Sequence, residues 1–261
     1  MVGLDLMPAK AEDDMKSGII VGIVAFFVVT CPEQRGIAQN SSVSKNSQGA
    51  WIDVTTPLNP ATTPTYPGDT QPKFEFLRSF DKGDTVTLSS YLMTAHAGTH
   101  VDAPLHFVAK AAPIDQVSLS TLMGPARVID CSPEAMAIDA AELNKHDWRG
   151  AKRILFRTRN SRNSWMEDPT FHPDFTYLAP DAAQLLADAG VELVGIDYLS
   201  AEKFGVPEAR THQILLGRNI PIIEGLDLRE VKAGEYDMIV LPLRVVGHEA
   251  APARALLRPL R

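Results

Sequence analysis

The chain has 261 residues, of which 45% are apolar, 22% charged and 7% aromatic. That apolar fraction excludes wholesale disorder, and the length allows a core that needs no disulfide staples. A formal charge of −7 and a pI near 5.5 exclude the basic face of a typical nucleic-acid binder.

In chain order, the first signal is the uncharged run Gly18 to Thr30, GIIVGIVAFFVVT. It is shorter than the about 20 residues of a membrane-spanning helix and fits the about 7–15 of a signal-peptide core. A short buried helix is the competing reading. Asp5, Glu12, Asp13 and Asp14 oppose a basic leader upstream, whereas a start at Met15 gives Met-Lys-Ser before the run. Gly36 and Ala38 offer small residues for cleavage before Gln39, and Thr30 before Cys31 fits a lipid-anchor motif poorly. The expected organisation is a signal peptide over 1–38 with its working start at Met15, a polar linker over 39–50, and one functional domain over 51–261. This implies an exported protein, periplasmic or secreted, if 15–38 acts as a signal, and a cytoplasmic one otherwise.

Trp51 to Thr55 reads as a strand, followed by Pro- and Thr-rich punctuation from Pro57 to Pro72. Thr85 to Met93, Ala126 to Asp130, Arg153 to Arg157, Val191 to Ile196 and Met238 to Val246 are further strand-length runs. Residues 157–173 read as a long exposed loop. Pro180 to Gly190 has Pro-Asp at its start, apolar residues at helical spacing and Gly at its stop, which predicts a helix. Strands and helices mix without a strict βαβ rhythm, so the class is α/β or α+β in a single domain.

Chemistry concentrates in His96-Ala97-Gly98-Thr99-His100-Val101-Asp102-Ala103-Pro104-Leu105-His106. Imidazole and carboxylate are ligands for zinc, manganese and iron alike. Burying so many titratable groups without a metal costs several kcal/mol unless each is hydrogen-bonded. A helical turn here would put His96 and His100 on one face, although Gly98 and Pro104 argue against a plain helix. Downstream, His212 stands in THQILL, and Glu224 ends the strand-like run Ile220 to Ile223. Cys131 and His146 could be imagined as a thiol–imidazole dyad, but Cys131 ends the β-rich run ARVIDC and reads as a small buried hydrophobe. The sequence has no GxSxG elbow, GxGxxG or GxxxxGK[ST] loop.

The run His96 to Phe107, HAGTHVDAPLHF, resembles the HxGTHxDxPxHF motif of the cyclase family, which includes bacterial kynurenine formamidases and isatin hydrolases. Tyr66-Pro67-Gly68-Asp69, Gly195-Ile196-Asp197, Pro242-Leu243 and Pro252-Ala253-Arg254 resemble further segments of that family, and the likeness runs from about Trp51 to Leu257. It implies a swivelling β/β/α fold with a mixed sheet or barrel core, assembled as a homodimer or higher homo-oligomer. It further implies His96, His100 and Asp102 as ligands of a first metal, Asp102 shared with a second, His212 on the second, and Glu224 bridging both. His106 takes the place of the general acid/base, and Tyr66 stands where formamidases usually carry a tryptophan against the substrate ring. The implied cofactor is a pair of divalent ions, zinc first, with manganese or iron as alternatives. The implied activity is hydrolysis of N-formyl-L-kynurenine to L-kynurenine and formate. The alternatives are opening of a cyclic amide or lactone, as in isatin hydrolases, and a metal-binding scaffold without turnover.

Overall fold

The computed structural model describes residues 49–260. The expected signal peptide over 1–38, the Met15 start, Cys31 and most of the linker therefore lie outside the described residues. The described residues begin with the short strand β1 (Ile52–Asp53) and continue through the hairpin β2 (Lys73–Arg78) and β3 (Leu88–Leu92) to β4 (His100–Asp102). Next come α1 (Leu119–Leu122), β5 (Met123–Asp130), β6 (Ala137–Ile138), α2 (Ala140–Leu143) and β7 (Arg153–Arg157). Then follow α3 (Arg159–Arg162), β8 (Tyr177–Leu178), α4 (Pro180–Asp188) and β9 (Leu193–Ile196). The final stretch holds α5 (Arg210–Gly217), β10 (Ile222–Glu224), β11 (Gly234–Pro242) and β12 (Ala250–Pro259).

Strands β12, β11, β5, β7, β9, β10 and β4 pair in that order, and β4 pairs back onto β12. Seven strands thus close into a barrel, with β1 added outside on β12. The stretch β5-β7-β9-β10 is parallel and the remaining pairings are antiparallel. Parallel neighbours need crossovers, which α4 supplies before β9 and α5 before β10. Alternation along the parallel strands then separates two cores. Leu155, Val128, Leu193 and Ile223 fall in a cluster with residues of β4, β11 and β12, filling the barrel. Ile154, Phe156, Val194 and Ile196 pack outward against Leu186 of α4 and Leu215 of α5. Full burial of a side chain such as Phe156 is worth about 1.5–3 kcal/mol. A Cβ on Gly195 would meet Leu155 Cδ2 at 2.5 Å and Leu226 Cδ1 at 2.9 Å, so a larger residue there would require those side chains to shift.

The fold class expected from the sequence holds, as a mixed-sheet barrel with few helices. One expectation fails. Residues 157–173 are no exposed loop: they contain α3 and a 3-10 turn at Trp165–Glu167, with Asn160, Ser161 and Met166 buried. The reason lies on β9's end. The buried Asp197 carboxylate accepts from Thr158 N at 2.7 Å, Thr158 Oγ1 at 2.8 Å and Ser161 N at 3.1 Å, pinning the polar segment to the barrel. Among the described residues no helix is long and apolar enough to cross a membrane.

Candidate metal centre

The His96–His106 segment is not helical. His96 sits in a turn, His100 and Asp102 stand on β4, and Pro104–His106 form a 3-10 turn. What shapes the turn is a pair of glycines back to back. Gly98 has φ +63°, and Gly225, just after β10, has φ +68°. A Cβ on Gly225 would lie 2.3 Å from the Gly98 carbonyl oxygen, so only glycine permits this approach. Thr99 Oγ1 and Thr56 Oγ1 both donate to the Gly225 carbonyl, at 2.6 and 2.8 Å, and lock the two loops together.

β10 pairs antiparallel with β4 so that Glu224 opposes His100. From α5, His212 reaches the same point. Asp102 is the hub. Its Oδ1 lies 3.0 Å from His96 Nδ1 and 3.4 Å from His100 Nε2, and its Oδ2 lies 3.7 Å from His212 Nε2 and 4.0 Å from His106 Nε2. Glu224 completes the ring, with Oε1 3.2 Å from His212 Nε2 and Oε2 3.5 Å from His100 Nε2. His96, His100, Asp102, His106, His212 and Glu224 therefore converge, and Tyr66 lines the cavity that opens onto them.

Supporting contacts aim these groups. His100 Nδ1 donates to the Gly98 carbonyl at 2.9 Å, leaving Nε2 turned inward. Glu202 Oε2 sits 3.5 Å from His212 Nδ1 and accepts from Thr211 N at 2.8 Å, and Glu224 Oε1 accepts from Ala201 N at 2.6 Å. Burial would raise the Asp102 carboxyl, but the facing imidazoles of His100, His212 and His96 hold it well below the usual carboxylate range. Burial likewise works against a charged His100, yet Asp102 and Glu224 push it up to about 10. His106, by contrast, is lowered, chiefly by burial. The carboxylates thus draw positive charge to the centre.

Fit to a divalent cation can be tested on buried donor atoms. His100 Nε2, Asp102 Oδ1 and Asp102 Oδ2 are buried and, among the described residues, make no hydrogen bond beyond the charge contacts already given. All three converge in one centre whose nitrogen and oxygen donors suit zinc, manganese or iron. Ligand atoms of His100, Asp102 and Glu224 lie within 4.8 Å of one another, as do those of His96, Asp102 and His106. Cys131, Glu142 and His146 also meet. There, however, Glu142 already accepts from Ser132 N, Ser132 Oγ, Lys145 and His146, and burial keeps the Cys131 thiol protonated.

The cavity of about 300 Å³ is walled by Tyr66, Phe107, Leu199 and Val206. Tyr66 makes edge contacts with Phe171 and Phe204 at 5.6 and 5.8 Å, and Phe107 lies against the His212 ring at 4.6 Å. Glu202, Phe107 and Glu249, whose Oε1 is 3.4 Å from His96 Nε2, were not expected from sequence. Phe107 closes the histidine motif and was within reach of it, whereas nothing local marks Glu202 or Glu249.

Known proteins share this arrangement of strands and sequence. The cyclase family model matches residues 52–203. The chain belongs to the cyclase family. It is 37% identical over 211 residues to the kynurenine formamidase of Salinibacter ruber, covering 80% of this chain and 97% of that protein. It is 34% identical to that of Bacillus anthracis, covering 80% and 98%. Among solved structures, a "predicted metal-dependent hydrolase" from Bacillus stearothermophilus matches with TM-score 0.70 and 36% identity, covering 81% of this chain and 98% of that one. Isatin hydrolase A from Labrenzia aggregata matches with TM-score 0.68 over 82% and 94%, and at 19% identity shares the fold alone. This cyclase-family chain is a hydrolase.

Proposed function

We propose that this cyclase-family hydrolase is a metal-dependent arylformamidase that cleaves N-formyl-L-kynurenine to L-kynurenine and formate. The observation that carries metal dependence is the trio of buried donor atoms on His100 and Asp102 that converge with charge contacts but no hydrogen bond. The kynurenine formamidases matched over 97–98% of their length carry the substrate. His96 and His100 would hold one ion and His212 a second, with Asp102 and Glu224 serving both, zinc being the first expectation. Bound there, divalent ions supply an acidified water and a Lewis acid for the formyl oxygen.

The chain's own residues do the rest. His106, with Nε2 facing Asp102 at 4.0 Å, takes a proton from the attacking water and returns it to the departing aryl nitrogen. Its lowered affinity for protons keeps it a base at neutral pH. Tyr66 and Phe107 supply apolar surface for an aryl ring, and Glu202 holds His212 in place.

Two further readings belong to the proposal. Export is supported by the uncharged run 18–30. A homodimer or higher homo-oligomer is supported by the β2–β3 hairpin, which exposes Phe76, Phe80, Tyr91 and Leu92 by 58–68%. The deciding experiment measures N-formyl-L-kynurenine hydrolysis and bound metal on one purified sample. About two equivalents of metal with turnover supports the reading. Metal without turnover overturns this substrate in favour of a cyclic amide or lactone, or of a scaffold; no metal overturns the site.

A further inference from the structure

Most polar side chains that line the cavity already have a task. His96, His106, His212 and Glu224 face Asp102 or one another. Glu202 is committed to the start of α5 through Thr211 N, and Ser200 Oγ accepts from Glu202 N at 3.1 Å. Two charged residues are different. Lys203 is exposed and makes no ion pair with a carboxylate among the described residues; its ammonium lies 5.8 Å from the Tyr177 ring centroid. Asp69 is also exposed, and among the described residues its carboxylate accepts only a long 3.5 Å bond, from Thr94 Oγ1 to Oδ2.

These opposite charges come from separate segments, the turn after Tyr66 and the loop after β9. The same cavity is lined by the apolar side chains of Tyr66, Leu199 and Val206. A neutral aryl ligand would use the wall and leave both charges idle. A ligand with an apolar body and a zwitterionic head would use all of it. Resting on the arylformamidase reading, we propose that Lys203 and Asp69 form an α-amino-acid subsite, Lys203 binding the α-carboxylate and Asp69 the α-ammonium. Neither residue reaches the reacting carbonyl in this assignment, so they set specificity. Their contacts are equal in ground and transition states, which changes KM and leaves kcat alone.

The test compares N-formyl-L-kynurenine with 2-formamidoacetophenone, which keeps the aryl ketone and formamide but lacks the amino acid. In Lys203→Met and Asp69→Asn, KM for N-formyl-L-kynurenine is expected to rise roughly tenfold with kcat within about twofold, the loss of one charge-assisted contact. Kinetics on 2-formamidoacetophenone are expected to stay within about twofold of the wild type. Calorimetric titration of the unsubstituted protein with L-kynurenine and with 2-aminoacetophenone gives a second readout. Kynurenine should bind roughly tenfold tighter, with the preference lost in either variant and reduced by salt. Variants that leave both substrates unchanged, or slow both equally, overturn the subsite. Turnover of the neutral formamide alone by the wild type would keep an arylformamidase but overturn N-formyl-L-kynurenine as its substrate, and the titration then decides the subsite, equal affinities for the two ligands overturning it.

Discussion

His100 and Glu224 are direct cross-strand partners on β4 and β10, with His100 Nε2 3.5 Å from Glu224 Oε2. Opposed residues of an antiparallel pair share a face, and so does Asp102, two residues along β4. The barrel therefore places His100, Asp102 and Glu224 by strand register, while the turn before β4 adds His96 and α5 adds His212.

Glu224→Gln tests that construction. The amide keeps the side chain's size and can still accept from Ala201 N, but it carries no charge for a cation. Metal content after dialysis, read by mass spectrometry, should fall, with affinity reduced at least about tenfold and kcat/KM at least about a hundredfold. Added zinc should raise the melting temperature of the wild type much more than that of the variant. Full metal and full activity in Glu224→Gln would remove Glu224 from the centre.

His106 is assigned a proton-transfer role although it stands within ligand range of Asp102 and His96. The two roles separate in His106→Ala. A proton carrier predicts turnover slowed by about 10²–10⁴ with metal content unchanged. A ligand predicts that metal leaves with it.

The histidine motif was legible because its residues are close in sequence and chemically unusual together. Its conformation was not: i, i+4 spacing suits a helix, yet Gly98, braced by Gly225 from the other end of the chain, imposes a turn leading into a strand. That brace is a tertiary contact no local pattern announces. Seven strands were read from strand-like runs, whereas β2, β6, β8 and β12 were missed, β12 because Ala, Arg and two prolines give it a weak strand signal. The segment 157–173 was misread as a loop for a related reason. Its polarity is neutralised by Asp197, a partner about 40 residues away whose hydrogen bonds bury it. Glu202 went unnoticed because it acts on His212 through space.

Gly225→Ala puts a number on the glycine brace. The new Cβ would sit 2.3 Å from a backbone oxygen, which cannot swing away as a side chain would, and the positive φ adds strain. The expected loss is about 3 kcal/mol or more of stability, with metal affinity reduced because the Gly98 loop carries His96 and His100. Gly217→Ala, in α5 with nothing within 4 Å of its Cβ and no positive φ, is the control and should be neutral or stabilising. Equal melting temperatures for the two variants would show that the loops part at little cost.

Glu142 makes a prediction far from the metal centre. Burial opposes its charge, but Lys145, Ser132 N, His146 and the Ser132 hydroxyl together hold its carboxyl at about 2, below an unfolded value of about 4.3. A carboxyl with a depressed folded value favours the folded state above its unfolded value. That contribution is lost as pH falls from about 4.3 through about 2. Glu142→Gln removes the titration together with two charge-assisted bonds, so at pH 7 it should cost on the order of 1–3 kcal/mol in urea unfolding. The gap between wild type and variant should then narrow steadily between pH 5 and pH 3, because only the wild type is losing a charge that its folded state prefers. Parallel stability curves across that range would mean that Glu142 titrates alike in the folded and unfolded chains, and that its hydrogen bonds to Ser132 and Lys145 do not discriminate between its charged and neutral forms.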